Sequence, residues 1–174
     1  MSELKNNPRI IVKRRGWQVV YISPEKIEDY NACYRVYFEG RLIYPGAAND
    51  LGIPANEIWL SEGLREFEKY VLYHEIKEIE YRARGYDGST AHCKAKEDEK
   101  VFKGDPNWEK LRTEINIASR EVLADLAGID EKMFRQITRN RPYYKMEDLR
   151  TVPSIDEKTY RSLKERSWSF YDFL

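Results

Sequence analysis

The residues best suited to chemistry lie close together in this chain. They are His74-Glu75-Ile76-Lys77-Glu78 and, further on, His92, the only other histidine. Imidazole nitrogens and carboxylate oxygens are ligands for a divalent metal such as Zn²⁺. His74 and Glu78 stand four residues apart, one helical turn, so a helix lets both reach one ion. Glu75 lies about 100° around the helix from His74. That is where the general base of an H-E-x-x-H centre stands relative to its ligands. With His92 the set becomes two histidines and one carboxylate, a combination found at catalytic zinc. Cys93, directly after His92, is an alternative ligand. A plainer assignment makes His74 a satisfied core histidine, pairs Glu78 with Arg82 or Arg84, and makes His92 a helix cap.

The elements that must position these groups can be read from the same stretch. Periodicity predicts a helix from about Leu64 to Arg84. Phe67, Tyr70, Val71, His74, Glu78 and Tyr81 fall on one stripe of it, and Leu72, Ile76, Ile79 and Ala83 on the opposite one. Such a helix is buried on two sides. A carboxylate in the middle of an aromatic stripe is costly unless something neutralises it, and a metal would. Glu57-Ile58-Trp59-Leu60 reads as a strand leading into this helix. Gly85 and Gly88 mark a turn into a second helix, with His92 in its first turn.

This stretch resembles the smallest zincin metallopeptidases. In them an edge strand precedes a helix bearing H-E-x-x-H, and a following helix supplies a third ligand. Ile58-Trp59-Leu60 corresponds to the strand, and His74 and Glu75 to the start of the motif. Glu78 stands where that family has its second histidine. The resemblance implies Zn²⁺ held by His74, Glu78 and His92, with Glu75 as the catalytic residue of a zinc metallopeptidase.

Composition narrows the class. With 174 residues the chain makes one domain or two small ones. Lys+Arg and Asp+Glu are both 30, so no global basic field favours nucleic acid. No apolar run approaches the roughly 18 residues of a membrane helix, so no membrane partner is expected. The first ten residues lack the apolar stretch of a signal peptide. Cys33 and Cys93 are too few for a disulfide framework. A cytoplasmic protein, or a component of a virion, is the expectation.

Upstream, Arg9–Lys13 and Trp17–Ile22 read as two strands joined at Arg14-Arg15-Gly16, a hairpin whose Lys13, Arg14 and Arg15 could touch phosphate but more often form a solvated turn. Ser23-Pro24 looks like a helix start. Tyr34–Phe38 and Arg41–Tyr44 read as strands turned by Glu39-Gly40. Residues 45–54 are turn-rich. The recurring tyrosines and tryptophans suit cross-strand pairs rather than a base-stacking platform.

After a Gly-Asp-Pro-Asn break near Pro106 the chain changes style. Val122–Asp130 recurs as Asp148–Asp156, an internal echo in which a short helix, a tight hairpin and a second helix alternate. With Ile115-Asn116 and Ala118-Ser119 before it, this segment resembles the tandem helix-hairpin-helix domain of competence DNA receptors and of the photosystem II extrinsic subunit. In that family hairpin glycines let backbone N–H groups approach a phosphate at a helix N-terminus, without reading sequence. The resemblance assigns Gly128, Lys132, Ser154 and Lys158 to DNA contact. Both hairpins here carry Asp, at 130 and 156, where the second glycine would be.

The expected fold class is therefore α+β: a small antiparallel sheet with a metal-site helix over residues 9–104, an all-α tandem helix-hairpin-helix domain over 113–168, and an aromatic tail over 169–174. Two functions are compatible with it. One is a zinc metallopeptidase brought to DNA or a nucleoprotein. The other is a non-catalytic adaptor of a nucleoprotein or viral particle, with a structural metal and a helical domain or tail that docks a protein partner.

Overall fold

Four strands and the helix that crosses them organise the first part of the chain. The computed structural model describes residues 2–27, 30–111, 114–117, 123 and 129–165. It divides into two compact units, residues 1–103 and 104–174. No described helix is long and apolar enough to cross a membrane.

In the first unit, α1 (Ser2–Asn6) and α2 (Pro8–Arg14) precede β1 (Gln18–Ile22), β2 (Ala32–Phe38), β3 (Arg41–Ile43), α3 (Ala47–Asp50) and β4 (Glu57–Ser61). The sheet order is β1-β4-β2-β3. β2 and β3 form the expected hairpin, antiparallel, with Phe38 opposite Arg41. Its turn, Glu39-Gly40, has positive φ at both residues (49° and 77°), as the type I′ hairpin loop requires. β2 also runs antiparallel to β4, with Tyr34 opposite Ile58 and Cys33 opposite Trp59. β1 runs parallel to β4.

The class is α+β as expected, but the sheet is mixed rather than purely antiparallel, and the first hairpin is absent. Arg9–Lys13 is helical, inside α2. Its β-branched run imitates a strand, yet Pro8 occupies the first helical turn, where a fixed φ and a missing N–H are harmless. Only one face of the segment is buried, through Val12, while Ile10 stays exposed. Arg9 then pairs with Glu68, the first residue of the long helix Glu68–Ala83. Deprived of that partner, β1 pairs with β4. As a result β4 lies between β1 and β2, not at the edge that the zincin resemblance implied. Ser23-Pro24 starts a single turn, closed by Lys26 and Ile27 donating to the Ser23 carbonyl.

β4 is buried on both faces. Trp59 joins Ile22, Ile27, Cys33, Ala48 and Ile53 on one side. Ile58, Leu60, Tyr34 and Val36 occupy the other, all 1% exposed or less, and there α4 (Glu68–Ala83) packs. The predicted helix begins four residues late: Glu62–Phe67 is a 3₁₀ turn, with Leu64 off helical geometry.

The second unit contains α6 (Pro106–Leu111), α7 (Glu114–Ile117), α8 (Glu131–Arg139), a 3₁₀ turn over Met146–Thr151, and α9 (Glu157–Glu165); α5 (Gly88–Asp98) belongs to the first. Its described residues contain no strand. Phe134, Ile137, Tyr143, Leu149, Tyr160 and Leu163 form much of its core. Asn116, fully buried, ties three segments together. Its amide donates to the carbonyls of Lys110 (3.1 Å) and Tyr143 (2.9 Å), and its oxygen accepts from the Tyr143 N–H. An amide with donors and an acceptor all satisfied can be buried without penalty.

Candidate metal centre and nucleic-acid interface

The centre is assembled by folding α5 back along α4. α4 ends in a Schellman motif: Tyr86 donates to the Tyr81 carbonyl, and Gly85 (φ +93°) to that of Arg82. Asp87 then caps α5 by accepting from the Thr90 N–H at 3.0 Å. Gly88 leaves room for the Arg82 guanidinium, which a side chain there would strike. Ala91 and Ala95, both fully buried, present only methyl groups to α4. Small residues allow the close approach that brings His92, in the second turn of α5, over His74 and Glu78.

Three ligand atoms converge. His74 Nε2 lies 3.1 Å from His92 Nδ1 and 3.5 Å from Glu78 Oε2. His92 Nδ1 lies 3.1 Å from the same oxygen. Ligands bonded at about 2.0–2.1 Å to tetrahedral zinc stand about 3.3 Å from one another. The observed triangle fits that edge, so the triad could hold a metal. Among the described residues no fourth His, Cys, Asp or Glu joins this group. Cys93 is exposed, and both cysteines are free.

The surroundings orient Glu78. Tyr34 O–H and Arg82 Nε each donate to its Oε1 at 2.9 Å, leaving Oε2 toward the histidines. Burial would raise the Glu78 carboxyl, but hydrogen bonds from His74, His92 and Arg82 outweigh it and hold the group ionised, well below the usual carboxylate range. Burial, reinforced by Glu78, pushes the Tyr34 phenol far up, so it stays a donor. Burial lowers His74, but Glu78 and Glu99 reverse this and hold it up at about 10. The plainer assignment holds in part: Arg82 bonds Glu78, and His74 is a largely buried histidine with a partner at each ring nitrogen, but the cap of α5 is Asp87 rather than His92.

Glu75 is buried. Burial first, then the nearby Glu78 and Glu99 charges, raise its carboxyl above the usual range, against the lowering pull of His74 and Arg82. Glu99 was not singled out by sequence. It is the first residue of a 3₁₀ turn after α5, buried, with its Oε1 against His74 Nδ1. Nothing in its charged surroundings, Glu97-Asp98-Glu99-Lys100, distinguishes it in one dimension.

The other assigned residues lie in the second unit. Lys132 and Lys158 are exposed, in the first turns of α8 and α9. Asp130 accepts from the Met133 N–H at 2.8 Å, and Asp156 from the Thr159 N–H at 2.7 Å. Both aspartates therefore cap their own helices. The Ser154 N–H donates to Gln136 Oε1 at 3.0 Å. Gly128 lies outside the described residues, as does the 169–174 tail.

Residues 110–166 match a family model, that of the helix-hairpin-helix motif. The second unit carries a helix-hairpin-helix motif. Motifs of this kind commonly bind DNA. The match covers about a third of the chain and speaks for that segment alone. No zincin family model matches the first unit. No curated protein and no solved structure matches the chain.

Proposed function

We propose that the first unit is a zinc centre of hydrolytic type, a metallopeptidase, and that the helix-hairpin-helix unit brings it to DNA or to DNA-bound protein. The convergence of His74 Nε2, Glu78 Oε2 and His92 Nδ1 on one point carries this reading. Three protein ligands are the number that leaves a tetrahedral ion one position for water or substrate, whereas structural zinc is closed by four. Zinc held there supplies Lewis-acid polarisation and an acidified water. Glu78 offers one negative oxygen to the ion while Tyr34 and Arg82 retain the other. Glu75, adjacent to His74, is the proposed base. Its burial raises its proton affinity into a range useful for taking a proton near neutral pH. Lys132 and Lys158 are the proposed phosphate contacts, and Gly128 and Ser154 the proposed hairpin positions.

Metal analysis and a peptidase assay on the full chain test this together. About one Zn²⁺ per chain is expected, lost in His74→Ala and His92→Ala. Glu75→Gln should keep the zinc and lose at least about a hundredfold in hydrolysis of an unstructured protein substrate, the scale of a general base. Full zinc loading with no cleavage by the wild-type chain would leave the metal structural.

One observation favours the adaptor reading. Both hairpin aspartates already cap their helices, and the Ser154 N–H is already engaged by Gln136. Hairpin groups so engaged leave less for a phosphate and suit docking onto a protein.

A further inference from the structure

We propose that Glu99 is the positioning residue of the metal centre: it holds His74 so that Nε2 faces the ion. This rests on the metal-centre reading above. An imidazole has two nitrogens, and which one binds a metal is set by the hydrogen bond that the other makes. In this centre Nε2 belongs to the ligand triangle, and Nδ1 meets the Glu99 carboxylate. A proton held on Nδ1 by Glu99 leaves the Nε2 lone pair for the metal and fixes the plane of the ring. A carboxylate bonded to the far nitrogen also makes the imidazole a stronger donor.

The chain braces Glu99 from both sides. Asp98, the residue before it, is tied to α4 three times. Its carboxylate accepts from Tyr81 O–H at 2.9 Å and meets Lys77 Nζ at 3.4 Å, and its carbonyl accepts from Tyr73 O–H at 3.4 Å. Phe102, three residues on, packs edge-to-face against Tyr70 and Tyr73 of α4, with centroids 5.1 and 4.9 Å away. Both anchors stand on the helix that carries His74. The change from α-helix to 3₁₀ turn at Asp98–Glu99 turns Glu99 inward between them. α5 and its extension thus deliver a ligand, His92, and seven residues later the group that aims the other histidine.

Burial supports a task for this carboxylate. The Glu99 side chain is 4% exposed and His74 12%, whereas His92 is 47% exposed. Burying an ionised carboxylate is costly unless its partner is strong and well placed.

Zinc affinity of the folded full-length protein, measured by competition with a chromophoric chelator, tests the assignment in wild type, Glu99→Gln, Glu99→Ala and His74→Ala. Loss of a group hydrogen-bonded to a ligating histidine weakens metal binding by about 10–100-fold. That loss is expected for Glu99→Ala. Glu99→Gln, which keeps an acceptor for the Nδ1–H, should recover part of it. In the zinc-loaded protein the His74 Nδ1–H proton resonance should be strongly deshielded and slow to exchange. It should persist in Glu99→Gln and vanish in Glu99→Ala. A carboxylate that merely stabilises the fold would lower the melting temperature of the metal-free variants and leave the zinc affinity of the folded protein unchanged, which overturns the proposal. Should Glu99→Ala fail to fold, wild-type affinity and proton exchange rate in Glu99→Gln together with a Glu99→Leu variant of equal affinity would overturn it too. Absence of zinc binding by the wild-type chain, or equal binding by His74→Ala, would remove the metal centre itself.

Discussion

Glu78 divides its two carboxylate oxygens between two sets of neighbours. One carboxylate oxygen accepts from Tyr34 and Arg82, and the other faces two imidazoles. Tyr34 is 1% exposed and reaches Glu78 from the sheet. Tyr34→Phe removes one charge-assisted bond while keeping the ring packed, so it should cost about 1.5–3 kcal/mol, measured by urea unfolding of the metal-free protein. The cysteines give a second test at this scale. Cys33 is buried in β2, and burial first, then the Glu75 charge, pushes its thiol up to about 12. Since the thiolate is the nucleophile, a raised value leaves almost none of it at pH 8. Cys93 is exposed. Iodoacetamide at pH 8 should add one group, on Cys93, and a second only after denaturation, as mass spectrometry of the digested protein would reveal. Labelling of Cys33 in the folded protein would contradict its burial.

At the scale of elements, α8 and α9 begin alike. Each has an aspartate cap, a glutamate next, and then a lysine. Acidic groups suit the positive end of a helix, which is why the local sequence favours these starts, but the same charges oppose a phosphate. Replacing Asp130 and Asp156 together with Gly should cost only a few tenths of a kcal/mol per cap, because Gly is itself tolerated there. The double variant should bind a short duplex more tightly than wild type at low salt, and the gain should fade as salt rises. Fluorescence anisotropy at two salt concentrations measures both effects. Absent duplex binding in both proteins would remove DNA from the proposed function and leave protein docking, whereas equal binding by both would take the two aspartates out of the contact.

Across the whole molecule, the two units should respond differently to metal. All three candidate ligands and Glu99 belong to residues 1–103. Zinc in hundredfold excess over its dissociation constant stabilises the fold that binds it by about 2.7 kcal/mol. Differential scanning calorimetry is expected to resolve a transition that zinc raises and EDTA lowers, and another that ignores both. Limited proteolysis should cut near Gly104, where φ is +88° and the two units meet in sequence. A single transition moved as a whole by zinc would mean that the units unfold as one.

Much of the centre was legible because its determinants are local. Four-residue spacing on one helix places His74 and Glu78 together whatever the rest of the chain does, and the glycines at 85 and 88 signal the reversal that returns His92. The β2–β3 hairpin was legible for the same reason, since Glu39-Gly40 permits the turn. The echo of Val122–Asp130 in Asp148–Asp156 pointed to the helix-hairpin-helix motif, as repetition survives without tertiary knowledge. Pairings between distant residues were not legible. Arg9–Lys13 has the composition of a strand, and Pro8 in the first helical turn, the contact of Arg9 with Glu68 and the burial of one face make it helix. With that segment gone from the sheet, β4 became an interior strand. Glu99 is the sharpest case. Its identity is common, its neighbours are charged, and it lies 25 residues from His74. Only the packing of Asp98 and Phe102 against α4 turns it toward the imidazole, because burial and direction are properties of the folded chain that one-dimensional spacing does not encode.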